Sequence, residues 1–280
     1  MTVQTVTNEM LNEFETMLRE DEKSASTVEK YMHDVRCFQN YAMGRKLEKA
    51  LTVAYKNHLK KTYATSSANS MIAALNAFLR FAERQECCVK QFKIQKKTYC
   101  SENDELTKTE YLSLVKAAES KNNERLSLLI QTLCGTGIRV SEVEFITVEA
   151  VKKGEAAVAC KGKTRKVFIV SALRKKLLKY ANKHGIRTGA IFVTKNGKPM
   201  NRSNIWREMK SLCEQAGVTP GKVFPHNLRH LFARTFYKIE KDIAKLADIL
   251  GHSNINTTRI YIISTGAEHK KRIESMRLII

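Results

Sequence analysis

The chain has 280 residues, of which 49 are Lys or Arg and 28 are Asp or Glu, so its formal net charge is +21. With 43% hydrophobic residues and only 3 prolines, the composition is that of a folded, helix-rich protein and excludes a disordered basic tail. A folded surface with this charge predicts a polyanionic partner.

Two features of the sequence predict a cytoplasmic protein. No apolar run approaches the roughly 18 residues that a membrane-spanning helix needs, and the N-terminal segment lacks the basic and apolar stretches of a secretory signal.

The seven cysteines are an odd number without a C-x-x-C pair. This pattern predicts reduced, mostly buried thiols and disfavours a disulfide or zinc framework.

The first part of the chain has the apolar spacing of helices. Between residues 28 and 38, and again further on, apolar side chains recur at intervals of three and four. We interpret residues 1–95 as a small helical bundle, in which Ser26 or Thr27 caps a helix and Lys30 lies on a polar helix face.

A polar stretch without sustained periodicity, residues 96–105, is the predicted linker to a second domain, residues 106–280. That domain opens with Thr107 and Glu110, whose spacing fits a capping box in front of a helical pattern. We therefore expect its first helix to begin directly after Thr107.

Further along, the pattern changes from helix to strand and back. Residues 156–170 contain two β-branched runs around a basic turn, which predicts a hairpin, and a short strand at 190–194 is expected to join it. Helical patterns resume in four segments: 202–216, 226–238, 242–250 and 268–278. The predicted fold class is mainly α, a helical bundle followed by a mostly helical domain with a small antiparallel β-sheet.

The positive charge is concentrated in the second domain. Residues 105–280 carry 33 basic and 15 acidic side chains, so +18 of the net +21 lies there. The polyanion is therefore expected to meet mainly this domain.

One helical segment of that domain combines a histidine with an arginine. Pro225 suits the start of a helix, and His226 and Arg229 then fall on one polar stripe. A helix N-terminus attracts phosphate, and a guanidinium one turn later can grip two of its oxygens. The alternative interpretation is an ordinary polar stripe facing solvent.

Two other segments end in residues of the same kind. Gly251 stops an apolar helical pattern and His252 follows it, with Tyr261 nine residues further on, in a short helix that Asn256 or Thr257 would cap. Taken alone, this tyrosine between isoleucines is more typical of a packed core.

Arg139 follows two glycines, in Gly-Thr-Gly-Ile-Arg, and precedes a predicted helix start. Glycines let the backbone turn sharply there and expose the arginine.

Together these motifs resemble the tyrosine recombinases, also called the phage integrase family. TGIRVSE, the hairpin turn KGK, HNLRH, LGHSNINTT and the tyrosine nine residues past the LGH histidine occur in the family's order. Within the family the chain is similar to the short Xer-type and mobile-element recombinases. The resemblance implies that residues 1–95 are the core-binding (SAM-like) domain and residues 106–280 the catalytic domain.

Carried over to this sequence, the resemblance implies that Tyr261 attacks a DNA phosphodiester, leaving a 3′-phosphotyrosyl link and a free 5′-hydroxyl. Arg139 and Arg229 would hold the two non-bridging oxygens. Lys161 would protonate the leaving 5′-oxygen, with Lys163 as the alternative acid.

The resemblance also implies roles around this centre. His226 and His252 would assist proton transfer and bind the phosphate, and Glu142 would support an active-site arginine. We expect Lys30, Lys163 and Arg165 to contact flanking DNA.

The chemistry of these residue types agrees with an enzyme that needs no cofactor. Arg, Lys and His can meet the charge of a phosphate, and the sequence contains no P-loop or acidic metal cluster. His226 and His230, four residues apart, are a conceivable zinc pair without a third ligand motif. The alternatives in function are an inactive DNA-binding accessory protein of the same fold and a type IB topoisomerase-like enzyme.

The expected partners are double-stranded DNA sites and other protomers. Strand exchange between two duplexes requires four active sites, so the resemblance implies a homotetramer, or a heterotetramer with a paralogue, on nucleoid DNA. The apolar tail, residues 268–280, is expected either to dock on a neighbouring protomer or to pack on its own domain.

Overall fold

The computed structural model describes residues 5–94, 104–160, 163–262 and 274–276, without the side chains of Cys160, Lys163 and Ile262. The chain forms two compact units, Met1–Lys96 and Lys97–Ile280. The described residues are mostly helical with one small sheet, so the predicted fold class is confirmed. Their helices include none that is long and apolar enough to cross a membrane.

The first unit is a helical bundle around an aromatic core. Its described elements are α1 (Asn8–Glu20), α2 (Ala25–Ala42), α3 (Lys49–Thr62), α4 (Thr65–Phe81) and a 3-10 helix (Gln85–Cys87). Phe14 meets Phe78 edge-on with ring centroids 5.4 Å apart, and Phe38 meets Tyr55 in the same way at 5.0 Å. Each buried aromatic side chain of this kind contributes roughly 1.5–3 kcal/mol to folding.

The helix that carries Lys30 begins earlier than the sequence predicted. Its N-cap is Ser24, whose hydroxyl accepts a hydrogen bond from the backbone N–H of Thr27 at 3.3 Å. The predicted caps, Ser26 and Thr27, lie inside the first turn. Several small hydroxyl residues lie close together here, so the sequence offered more than one equivalent local cap.

The second unit holds the remaining helices and the sheet. Its described elements are α5 (Lys108–Ser120), α6 (Glu124–Thr136), a 3-10 helix (Val140–Phe145), α7 (Val148–Lys153), β1 (Glu155–Cys160), β2 (Lys163–Phe168), α8 (Ser171–Lys183), α9 (Arg202–Lys210), α10 (Cys213–Ala216), a 3-10 helix (Pro220–Lys222), α11 (Pro225–Glu240), α12 (Ile243–Leu250), α13 (Ile255–Arg259) and a 3-10 helix (Ile260–Ile262).

Local signals in this unit predicted several of its element boundaries. The capping box exists: Thr107 Oγ1 accepts from the Glu110 N–H, and the Glu110 carboxylate accepts from the Thr107 N–H. The hairpin also exists, with β1 and β2 antiparallel and Cys160 opposite Lys163. The segment at 190–194 does not join it within the described chain, because Ala190 forms an isolated bridge with Thr147 instead.

The elements that carry the recombinase-like motifs pack around α11. Leu228 and Leu231 on one side of α11 belong to the large core of this unit, on which α6 also packs. On the other side, Ala233 joins a small cluster with Leu250 of α12 and Tyr261. The helix α11 therefore lies between the end of α6 and the segment that bears the tyrosine.

Candidate active site

Arg229 is the most deeply buried charged side chain near the motifs. It is only 1% exposed, and its guanidinium donates to the carbonyl of Gly137 at 2.6 Å and to that of Leu250 at 2.7 Å. The sequence placed Arg229 on a polar stripe without showing what faces it. The end of α6 and the end of α12 cover that stripe, so Arg229 is an interior group linking three segments.

The positive charge of Arg229 is not neutralised within the described protein. It takes part in none of the ion pairs that the described residues form, and its Nε–H is buried without a hydrogen-bond partner among them. Burial and then the charge of Arg139 lower the pKa of Arg229 to about 10. A buried, uncompensated guanidinium with an unused donor suits an anionic ligand.

Arg139 lies beside Arg229 because the chain turns sharply after α6. Gly137 caps that helix with a left-handed φ of 63°, and Arg139 is the N-cap of the following 3-10 helix. Arg139 Nη1 pairs with Glu142 Oε1 at 2.8 Å, while its Nη2 lies 3.4 Å from the Gly251 carbonyl oxygen. Glu142 thus contacts Arg139, one of the two arginines that the resemblance implies for the phosphate.

His252 is held in one orientation from both ring nitrogens. Its Nε2 lies 2.9 Å from Arg229 Nη2, and its Nδ1 lies 2.9 Å from Thr258 Oγ1. Burial, followed by the charges of Arg229 and Arg139, lowers the pKa of His252 to about 4, so the ring is neutral at pH 7. Because a guanidinium only donates, Nε2 is the acceptor and Nδ1–H donates to Thr258.

Tyr261 lies against three histidines. It is 5% exposed, and its hydroxyl is 3.4 Å from His226 Nε2. Its ring centroid is 4.4 Å from that of His230 and 5.4 Å from that of His252. The short helix before it, α13, is capped by Asn254, so the predicted caps at 256 and 257 were wrong by about half a turn.

The two histidines of α11 are both electrostatically disfavoured as cations. Desolvation, then the charges of Arg229 and Arg139, lowers the pKa of His226. Burial, with smaller contributions from His226 and Arg229, lowers the pKa of His230 to about 4. Both imidazoles are therefore uncharged at neutral pH, which leaves ring nitrogens able to accept protons.

A cavity of about 420 Å³ opens beside these groups. Arg139, His226 and Arg229 line it together with Arg202 and Trp206 from α9. Neither α9 residue belongs to a sequence motif. His230 and Thr258 end the motifs HNLRH and LGHSNINTT, but these motifs show neither the ring contact of His230 nor the hydrogen bond of the Thr258 hydroxyl. Arg202 and Trp206 sit in an amphipathic helix without a motif of its own, so only the three-dimensional contact reveals them.

The remaining predicted residues fall in different places. Lys30 pairs with the buried Asp34 on α2 and stays half exposed. Arg165, which the sequence analysis expects at the DNA, directs its guanidinium at Glu142 and at the Ile249 carbonyl. The candidate acid Lys161 lies outside the described residues, and of Lys163 only the backbone, in β2, is described.

Among the described residues, no group of three or more His, Cys, Asp or Glu side chains is placed to hold a metal ion. The pair of His226 and His230 meets edge-on, with ring centroids 4.8 Å apart, and His230 contacts Tyr261. The groups that these described residues bring together are two guanidiniums, neutral imidazoles and a phenol.

Two family models and several proteins of known family match this chain. A family model described as "Phage integrase family" matches residues 104–268, and one described as "Phage integrase, N-terminal SAM-like domain" matches residues 11–86. The chain is similar to "Tyrosine recombinase XerA" of Pyrococcus furiosus, with 28% identity over 100% of this chain and 98% of the relative. It is 30% identical to "Tyrosine recombinase XerA" of Thermococcus kodakarensis, over 97% of this chain and 96% of the relative.

Solved structures match along almost the whole chain. "Crystal structure of XerA recombinase" matches with a TM-score of 0.55 and 25% identity, covering 98% of this chain and 100% of that one. "Crystal structure of a lambda integrase dimer bound to a COC' core site" has a TM-score of 0.74 at 20% identity, covering 92% and 78%. The second likeness is one of fold alone.

Proposed function

Because the chain belongs to the phage integrase family and is a tyrosine recombinase, a site-specific DNA strand-transferring enzyme, we propose that Tyr261 is the residue through which it cuts and rejoins DNA. One observation carries the proposal: the Tyr261 hydroxyl lies 3.4 Å from His226 Nε2, next to the buried pair of Arg229 and His252. A packed core tyrosine would not need three imidazoles and a buried guanidinium around it.

The first step is the loss of the phenolic proton. A tyrosine hydroxyl with an ordinary pKa near 10 is a poor nucleophile until a base accepts its proton. His226 is the base within reach, since its lowered pKa keeps the ring neutral, and it accepts in the tautomer whose Nε2 carries no hydrogen.

The second step is transfer of the phosphoryl group. The tyrosine oxygen bonds to phosphorus as the bond to the 5′-oxygen breaks, so the 3′-phosphate becomes attached to Tyr261 and the 5′-oxygen leaves with a proton. Negative charge builds on the equatorial oxygens, where Arg139 and Arg229 stabilise the transition state more than the substrate. In the family pattern Lys161 supplies the proton to the 5′-oxygen.

Rejoining is the same reaction in reverse. A 5′-hydroxyl attacks the phosphotyrosyl phosphorus, and the phenol leaves with the proton that His226 returns. Because the phosphodiester energy is kept in the protein–DNA bond, no ATP is required. The two other interpretations, an inactive accessory protein and a type IB topoisomerase-like enzyme, are not favoured, since the relatives named above are all recombinases.

Covalent capture tests this proposal without knowledge of the target sequence. The protein is incubated with a duplex library that has randomised half-sites and a nick near the centre, so that the released 5′ fragment diffuses away and traps the adduct. We expect SDS-resistant protein–DNA adducts from the wild type and from the control Tyr237→Phe, a tyrosine partly buried in the same cluster. Tyr261→Phe should bind the captured DNA and form none.

Two results would overturn the proposal. One is an adduct that persists in Tyr261→Phe. The other is a wild-type protein that binds duplexes from the library tightly but never becomes attached to them.

We further propose assembly into a tetramer on DNA, as a homotetramer or with a paralogue. The support is the requirement for four cleavages in a full exchange and the apolar residues of the tail, 268–280, of which the structure describes only 274–276. Deletion of residues 268–280 should abolish recombination between two sites and preserve binding to a single site. Recombination at the wild-type rate by the truncated protein would refute this docking role.

The biological substrate is proposed to be a mobile-element end or a chromosome-dimer site, acted on in the cytoplasm at the nucleoid. Support comes from the similarity to full-length Xer relatives. Inverted repeats in the DNA that flanks the gene, when used as nicked duplexes, should give more adduct than scrambled duplexes of equal composition.

A further inference from the structure

Arg165 is a cation of the hairpin that points into the protein. Its side chain is 13% exposed, and it leaves β2 toward the segment between α12 and His252. Its Nη2 donates to Glu142 Oε2 at 2.6 Å and its Nη1 to the Ile249 carbonyl at 3.2 Å. A side chain with these partners has little surface left with which to meet a DNA backbone.

The carboxylate that Arg165 holds is the one that also holds Arg139. Glu142 is 2% exposed, and its Oε1 accepts from Arg139 Nη1 at 2.8 Å. Its Oε2 accepts from the backbone N–H of Arg139 at 2.9 Å as well as from Arg165. One buried carboxylate is thus fixed from two sides, and its direction sets that of the Arg139 guanidinium.

The stem of Arg165 also packs on the residue before His252. A Cβ added to Gly251 would lie 2.2 Å from Arg165 Cδ and 2.7 Å from its Nε. The Gly251 carbonyl is 3.4 Å from Arg139 Nη2. The same side chain therefore touches the segment that carries His252 and the carboxylate that orients Arg139.

We propose that Arg165 is a positioning residue for phosphate transfer. It fixes the direction of Arg139 through Glu142 and the position of His252 through Ile249 and Gly251, and it makes no contact with DNA. This inference rests on the proposed function, because it takes Arg139 to be a ligand of the scissile phosphate.

Changing the charge of the scissile phosphate distinguishes a role in aiming Arg139 from a general effect on folding, which would slow the reaction equally on both substrates. A methylphosphonate at the scissile position lacks one charged oxygen, so it depends less on a correctly aimed guanidinium than a phosphodiester does. A misplacement of about 1 Å can cost about 10²-fold in rate. We expect Arg165→Gln to slow adduct formation by about 10- to 100-fold on the phosphodiester and by less than about fivefold on the methylphosphonate. Arg139→Ala should show the same preference for the methylphosphonate.

Matched variants control for charge and for folding. Lys166→Gln removes an equal charge from the next residue of β2, whose side chain is 64% exposed, and should keep both rates near those of the wild type. Arg165→Lys keeps the charge but lacks the forked guanidinium that donates to two acceptors at once. Its rate on the phosphodiester should therefore lie between those of the wild type and Arg165→Gln. Gly251→Ala displaces Arg165 without changing any charge and should give the same preference for the methylphosphonate.

The affinity for DNA, measured at several salt concentrations, tests the proposed role of Arg165 without requiring catalysis. If Arg165 touched a DNA phosphate directly, Arg165→Gln would reduce the slope of log affinity against log salt by about 1, whereas a positioning residue leaves the slope unchanged. The inference is overturned if that slope falls by about 1, or if Arg165→Gln and Gly251→Ala reduce the rate equally on both substrates. Absence of any wild-type adduct would instead overturn the proposed function.

Discussion

Replacing Gly137 with alanine tests how the turn before Arg139 is built. Gly137 has a φ of +63°, and an added Cβ would lie 2.4 Å from Phe232 Cδ1 and 2.8 Å from its Cε1. Its carbonyl accepts the 2.6 Å hydrogen bond from Arg229. The substitution therefore strains the backbone, overpacks against α11 and displaces an acceptor of the buried guanidinium.

The size of the effect follows from these contacts. A left-handed conformation costs a non-glycine residue about 1–2 kcal/mol, and overpacking in a closed site typically costs about 1–3 kcal/mol. The free energy of unfolding should fall by about 2–5 kcal/mol, which for a unit of this size lowers the melting temperature by on the order of 10 °C. Displacement of Arg229 should slow adduct formation by about 10²-fold.

Gly135→Ala is the matched control, two residues away on the same motif. Gly135 lies within α6 at an ordinary helical φ, and no atom lies within 4 Å of its added Cβ. Alanine is favoured over glycine in a helix by up to about 1 kcal/mol, so this variant should melt at or slightly above the wild-type temperature. Thermal unfolding followed by circular dichroism and adduct rates below both melting points provide the measurements. Equal melting temperatures and equal rates for the two variants would show that neither the positive φ of Gly137 nor its closeness to Phe232 constrains this turn.

Three further predictions concern charge and orientation. The pKa values of His230 and His252 are about 4 in the folded protein, against an ordinary 6.5, so only the unfolded chain takes up their protons between pH 6.5 and 4. The free energy of unfolding therefore falls as the pH falls through that window. His230→Leu should show a shallower fall, and a slope equal to that of the wild type would contradict the assignment. Thr258→Val should slow adduct formation about 10-fold by removing the acceptor of His252 Nδ1–H while Thr258→Ser retains the rate; equal rates would exclude this role. Lys30→Gln should reduce the salt slope of DNA binding by about 1, and an unchanged slope would remove Lys30 from the DNA contacts.

Features set by neighbouring residues were predictable from the sequence. The capping box at Thr107 depends on groups three residues apart, and the stop at Gly251 on one left-handed residue. The hairpin followed from two β-branched runs and a basic turn. Where several local solutions were equivalent, as with the cap of α2 at Ser24, the prediction missed by two residues or more.

Features that depend on distant partners were not predictable in the same way. Arg229 lay on the predicted stripe, yet its burial depends on Gly137 and Leu250, which are 92 and 21 residues away. The hydrogen-bond partners of Arg165 are Glu142 and the Ile249 carbonyl, and the ring of His230 contacts Tyr261. These partners are also distant in the sequence. Helical periodicity gives the face of a side chain but not what covers that face.

In the proposed mechanism Tyr261 becomes attached to the 3′-phosphate of DNA. Digestion of a captured adduct with nuclease and trypsin, followed by sequencing of the modified peptide by mass spectrometry, identifies the attached residue and the linkage. Cleavage after Arg259 and Lys270 releases a peptide with a single tyrosine, Tyr261. We predict a nucleotide joined through its 3′-phosphate to that tyrosine. A 5′-phosphate link, or a nucleotide on any other residue, would contradict this mechanism.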